Sequence, residues 1–304
     1  MAPSLRLVVA LFVLCVCDGL VSLGSPATSG TRVRPSVKRQ VRQEAVVSPA
    51  VALALAGPTM YGLMSFNEYV THRYYQHAEF NRSPWLQAIA KTLLSPFSRE
   101  VPVVKGGGHV EHHAETLDDM SLKTDEKWLN SPVAKVLDDD KYRGTAFSWT
   151  VSGLMLVQML PTAIPVFTLA LGFSLGQTLL FLLPSVLLHT LVWNALHPFM
   201  HALPDVPLAD GPPSGFLAKL RSTPYFKFLY ANHQGHHIVG GRGNYNVACP
   251  GADHLFGTFV PEKNWRPKMS TTFESYHGQA IPHEEQIKNH IANSAHFNQT
   301  LAMA

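Results

Sequence analysis

Cysteine is almost missing from this chain. Its 304 residues hold three, and two of them, Cys15 and Cys17, fall in an N-terminal apolar run. Cys249 is left alone, so neither a disulfide framework nor a cysteine-built metal site is available. Charge is also sparse: Asp, Glu, Lys and Arg make up 15% of the residues, and none occurs from Gly144 to Pro204. A net charge of +3 with no basic stripe and no interleaved aromatics leaves no footprint for nucleic acid. HExxH, the helical zinc-hydrolase pattern, is absent, as is any solenoid-type repeat.

The chain does contain long apolar stretches. Residues 1–24 carry one basic residue and then a run too short for a comfortable crossing, which reads as a signal peptide. Residues 25–44 are basic and Ser/Thr-rich, and fit either a plastid transit-type address or a linker beside a membrane. Ala45 to Phe66 is long enough to cross a bilayer once, and 144–204 can cross twice with a turn near Gly172–Gly176. Pro161, Pro165 and Pro184 are expected to kink those crossings, which neighbouring helices can tolerate. The expected fold is all-α: an integral membrane helical domain over 45–260, with about three to four transmembrane helices and a histidine-rich helical cap on one side. A polar tail over 261–304 follows, with a short helix from about 282. One crossing precedes residue 67 and three precede 205, so the polar stretches 67–143 and 205 onward share a side of the membrane.

Histidine is over-represented, with 16 residues, ten of them in four blocks on that shared side. The blocks are His72 and His77; His109, His112 and His113; His197 and His201; and His233, His236 and His237. Residues three and four apart share a helix face, so HxxHH projects three imidazoles to one side and HxxxH projects two. The five-residue step from His72 to His77 does not, and calls for a helix end or kink. At this histidine frequency HxxHH should arise by chance about 0.04 times in the chain, yet it occurs twice. A single block is compatible with a surface patch or one zinc ion; four point to metal, and ten imidazoles suit two ions. His189, inside a crossing, reads as a polar contact between helices. His254, His277, His283, His290 and His296 read as solvated or hydrogen-bonded.

Together these blocks resemble the fatty acid hydroxylase superfamily of histidine-box membrane oxygenases, which includes sphingolipid fatty-acid 2-hydroxylases and sterol desaturases. The resemblance covers about 55 to 260 and rests on Glu68-Tyr69 through His72-Arg73 to His77, the two HxxHH blocks, the HxxxH block, and the ending Asp253 to Thr258. It implies that all ten box histidines are ligands of two iron ions, for which zinc could substitute in a purified sample. It further implies hydroxylation or desaturation of a fatty acyl, sphingolipid or sterol C–H bond with dioxygen, in the endoplasmic reticulum or another endomembrane, or else in a plastid membrane. Family members often have two or more membrane helices before the first block; here there is one. The fused cytochrome of some members, with its His-Pro-Gly-Gly motif, is absent, so electrons are expected from a separate b-type cytochrome or a ferredoxin with its reductase. Carotenoid hydroxylases are a more distant alternative, because their third block has four intervening residues and they lack the D-x-x-FGT ending. Since a ligating histidine usually passes its other N–H to a carboxylate or carbonyl, Glu68, Glu111, Asn194 and Asp253 are candidate supports, and Asn244 to Gly257 a structural turn. The rival from another class is a His-rich metal transporter, which would place ionisable ligands inside its crossings.

Overall fold

The computed structural model describes residues 47–269, apart from 96–99, 102, 138–139 and 209–214. The signal-type run, the basic stretch, the expected helix from 282 and His277, His283, His290 and His296 lie outside the described residues.

Among the described residues the chain is helical, without a named strand. Its elements are α1 (Pro49–Val70), α2 (Pro84–Leu94), α3 (His109–Glu115), α4 (Glu126–Leu129), α5 (Trp149–Pro165), α6 (Leu175–Met200), α7 (Pro224–Ile238), α8 (Ala252–Phe256) and α9 (Glu262–Trp265). The starts follow capping chemistry, in which a short polar side chain accepts an otherwise unpartnered N–H of the first turn. Ser48 precedes Pro49 and takes the Val51 N–H at 3.4 Å, and Thr223 precedes Pro224 and takes that of Phe226 at 3.3 Å. At α6 the pairing is reciprocal: Ser174 Oγ accepts from the Gln177 N–H (3.2 Å), and Gln177 Oε1 from that of Ser174 (2.8 Å).

Three helices are long and apolar enough to cross a membrane: Pro49–Gln76, Trp149–Ala170 and Leu175–Met200, of 28, 22 and 26 residues. At a rise of about 1.5 Å per residue each exceeds the hydrocarbon thickness of about 30 Å. By length and composition this is a membrane protein. Two of the three close in a π-helical turn, Thr71–Gln76 after α1 and Val166–Ala170 after α5. Pro165, the last residue of α5, immediately precedes the second.

The described residues form two compact units: one comprises residues up to Leu63 with Leu156–Ser185, the other Met64–Met155 with Val186 onward. In the first unit, Phe167, Phe173 and Phe181 form an aromatic cluster with centroids 5.4–5.8 Å apart. The second unit holds all ten box histidines and a core of Tyr69, Tyr74, Tyr245 and Ala252. Packing in this unit extends to residue 265. Trp265 is fully buried, and a Cβ built on Gly235 in α7 would meet its indole at 2.4 Å.

Candidate metal centre

The four blocks meet. His72, His77, His109, His113 and His236 bring one nitrogen each to within 4.8 Å of one another, and His112, His197, His201, His233 and His237 do the same. Each cluster therefore draws on several blocks, and each HxxHH block divides its rings between the two. The clusters adjoin: the His113 and His237 rings stack with centroids 4.0 Å apart.

Local structure makes this possible. The π-helical turn over Thr71–Gln76 bonds His77 N–H to the His72 carbonyl at 2.9 Å, an i→i+5 step. That step brings residues five apart onto one face, and the two rings stack 5.0 Å apart. The anticipated kink is this turn. The second block arrives behind Gly106, whose φ of +74° suits glycine and whose added Cβ would lie 2.3 Å from the Gln76 carbonyl oxygen. His72 and His197 lie on the membrane-length helices, in their final turns.

Ring orientation is imposed mainly by the backbone. Through Nδ1–H, His72 donates to the Tyr245 carbonyl (2.5 Å), His109 to Gly144 (2.8 Å), His197 to Thr145 (2.6 Å), His201 to Met120 (3.1 Å) and His236 to Gly243 (2.5 Å). His112 donates instead to Glu115 Oε1 at 3.1 Å. Of the four side chains expected in this supporting role, Glu68 and Asp253 serve other groups. Glu68 accepts from His189 Nε2 (2.5 Å) and from the N–H groups of Val247 and Ala248 (3.0 Å for the latter). Asn194 exchanges two hydrogen bonds with the Phe147 backbone, and Asp253 accepts from Asn246 N–H and the Thr258 hydroxyl. Glu111 keeps a buried oxygen without a hydrogen-bond partner. Sequence reading missed Glu115, although its place three residues after His112 on one helix was a usable signal. Carbonyl partners carry no signal, since every residue has one.

His189 is the inter-helix contact expected of it, and His254 stacks on Phe259 with centroids 4.1 Å apart. Trp193 touches both clusters, with its ring 5.9 Å from that of His72 and 4.8 Å from that of His197, while its indole N–H donates to the Thr145 carbonyl at 2.7 Å.

The Nε2 atoms test whether these residues fit a metal. His72 and His109 each give the Nδ1 proton to a carbonyl, which can only accept, so each presents an Nε2 lone pair. Those two atoms are 2.8 Å apart and cannot hydrogen-bond. His197 and His201 likewise present Nε2 lone pairs, both aimed at His233 Nε2 at 2.8 and 3.1 Å. A shared cation resolves the repulsion. Nitrogens about 2.1 Å from one ion lie ~3.0 Å apart at right angles and ~3.4 Å apart at tetrahedral angles. The closest contacts, at 2.8–3.2 Å, are of the length that two nitrogens sharing one ion would have. Burial adds to this by holding the rings neutral, in the ligating form. It lowers His109 to about 4 and His236 to about 3, and it depresses His77, His112, His113, His233 and His237, with help from neighbouring imidazoles.

No protein family, curated protein or solved structure matches the chain. The resemblance drawn from the blocks therefore rests on the residues themselves. What the geometry establishes is a membrane protein with two adjoining, buried histidine clusters able to hold metal.

Proposed function

We propose that this chain is a membrane-bound oxygenase that hydroxylates or desaturates a lipid C–H bond, using dioxygen, two iron ions and electrons from a separate donor. The observation that carries the reading is the division of ten imidazoles into two adjoining sets of five. Five nitrogen donors exceed the four of a closed structural zinc site, and an ion that takes six ligands would keep one position for a reactant. Imidazole-rich sites accept iron as readily as zinc by ligand type, and two redox-active ions there would supply the dioxygen chemistry that no side chain can perform.

The chain's own part is orientation and exclusion. Backbone carbonyls hold several of the rings in one tautomer, Glu115 does so for His112, and Trp193 packs against a ring of each cluster. Eight of the ten rings are buried, which keeps water from a reactive centre. Location at the ends of membrane-length helices suits a substrate drawn from the bilayer.

The test is metal analysis together with dioxygen consumption and lipid profiling of a host expressing the chain, against the His112→Ala form. Iron near two per chain and a new hydroxylated or unsaturated lipid are expected. A metal-replete protein that consumes no dioxygen with any reductant, or one that carries metal across vesicles, would remove the proposal.

A further inference from the structure

The metal centre comes nearest to the surface on one face. His113 and His237 are the two box residues that are not fully buried, and their rings, one from each cluster, stack with centroids 4.0 Å apart. His77, the most exposed of the other eight, has its ring 4.6 Å from that of His113. Exposed cations stand around His77. Arg82 donates to its carbonyl at 3.3 Å, and Lys105 precedes Gly106, where an added Cβ would lie 2.3 Å from the Gln76 carbonyl oxygen. Arg242 follows Gly241, where an added Cβ would meet the His77 ring at 2.4 Å.

We propose that this face receives an acidic one-electron carrier protein. The inference takes from the oxygenase reading the need for electrons from outside the chain. Hydroxylating a C–H bond takes up one dioxygen, two electrons and two protons and releases one water; desaturation takes up the same and releases two. A one-electron carrier must therefore dock twice in each turnover, giving up one electron each time and leaving oxidised.

Charge and connection both fit that partner. Acids of the adjoining turns are engaged within the chain: Glu79 accepts from Arg73 at 2.7 Å and from the Tyr245 hydroxyl at 2.8 Å, Glu115 accepts from His112, and Glu111 has one oxygen buried. Electron-transfer encounters are small, and rim charges of opposite sign give them speed and orientation. Arg242 lies between two residues that serve first-cluster ligands, since the Gly243 carbonyl accepts the His236 Nδ1–H at 2.5 Å. A carrier seated on Arg242 is thus one residue and one hydrogen bond from a ligand of the first cluster. The stacked rings of His113 and His237 lead on to the second.

Equilibrium binding of two soluble probes to the full chain in neutral detergent, without dioxygen or lipid substrate, tests the face. The probes are an acidic plant-type ferredoxin and a basic c-type cytochrome. The ferredoxin is expected to bind at least about tenfold more tightly, and to lose that advantage as ionic strength rises from about 20 mM to about 300 mM. Arg242→Glu combined with Lys105→Glu should weaken ferredoxin binding by at least about tenfold, and Arg242→Gln alone should weaken it in the same direction. Lys219→Glu is the control: this exposed cation precedes Pro224, at the end of α7 remote from His237, and its reversal should leave binding unchanged. Unaltered metal content shows that each variant is folded. Equal affinity for the two probes, an affinity indifferent to Arg242 and Lys105, or an equal loss on reversing Lys219 would overturn the assignment. On iron-loaded chain that consumes dioxygen with dithionite, the oxidation of reduced ferredoxin should slow in step with the affinities; a rate that does not follow them would overturn the carrier's role. Dithionite-driven dioxygen consumption is read separately, so failure of docking leaves the oxygenase reading standing, and an inactive metal centre leaves these affinities standing.

Discussion

His72 and His109 face each other with Nε2 atoms 2.8 Å apart, each ring having given its other N–H to a backbone carbonyl. Two lone pairs that close, in a buried site, call for a cation between them, and the predictions below depend on that relationship.

Loss of one ligand should affect one cluster more than the other. His236→Ala belongs to the first set and His112→Ala to the second. Each is expected to halve the metal content and to lower lipid oxidation by at least about 100-fold, the upper end for disturbed metal sites. Membrane insertion should be unchanged. Metal analysis and activity on the same samples check this, and near-normal activity in both variants would contradict it.

Glu115 provides a finer probe. Burial raises its carboxyl to about 7, and it accepts from His112 Nδ1. Glu115→Gln keeps an acceptor oxygen but loses the charge, and should weaken metal binding at the second set by about 10–100-fold, measured by chelator competition. The first set should not respond.

Gly144 sits at φ +83°, and a Cβ there would lie 2.7 Å from both the Gly108 carbonyl oxygen and the His112 Cβ. Gly144→Ala should destabilise the fold by about 1–3 kcal/mol through backbone strain. It should also reduce metal loading, because the same residue's carbonyl orients His109. Thermal unfolding and metal content measured together test this; a variant with unchanged loading would speak against the carbonyl's role.

Removing Glu68 leaves His189 buried without its partner and strips an acceptor from the Val247 and Ala248 N–H groups. Breaking a buried pair in this way costs about 3–5 kcal/mol. Glu68→Ala should therefore fold poorly and Glu68→Gln noticeably better, as judged by yield and thermal midpoint.

The metal-free chain should be sensitive to acid. His109 and His236 have folded-state values of about 4 and about 3, lowered by burial from an unfolded value near 6.5. A depressed histidine takes up its proton first in the unfolded state, so this contribution to stability is intact above about 6.5 and declines as pH falls toward 4 and 3. Denaturant midpoints across pH 8 to 4 should fall accordingly. A flat profile would mean that the rings are already solvated.

Much of this was legible in the chain before any coordinates. The uncharged stretch from Gly144 to Pro204 and the earlier apolar run account for the three membrane-length helices, because only a helix satisfies its own backbone away from water. Histidines at three- and four-residue spacing mark a helix face, and the improbability of two HxxHH blocks marks a shared purpose. Tertiary structure alone decided how the ten rings divide, since membership of a cluster depends on how helices distant in sequence cross, and each HxxHH block splits between the two. It also decided what steadies them. Glu68 and Asp253 turned out to bind backbone amides, while carbonyls of Gly144, Thr145 and Tyr245 bind the rings. A carbonyl belongs to every residue, so only the path of the folded backbone determines which ones face an imidazole.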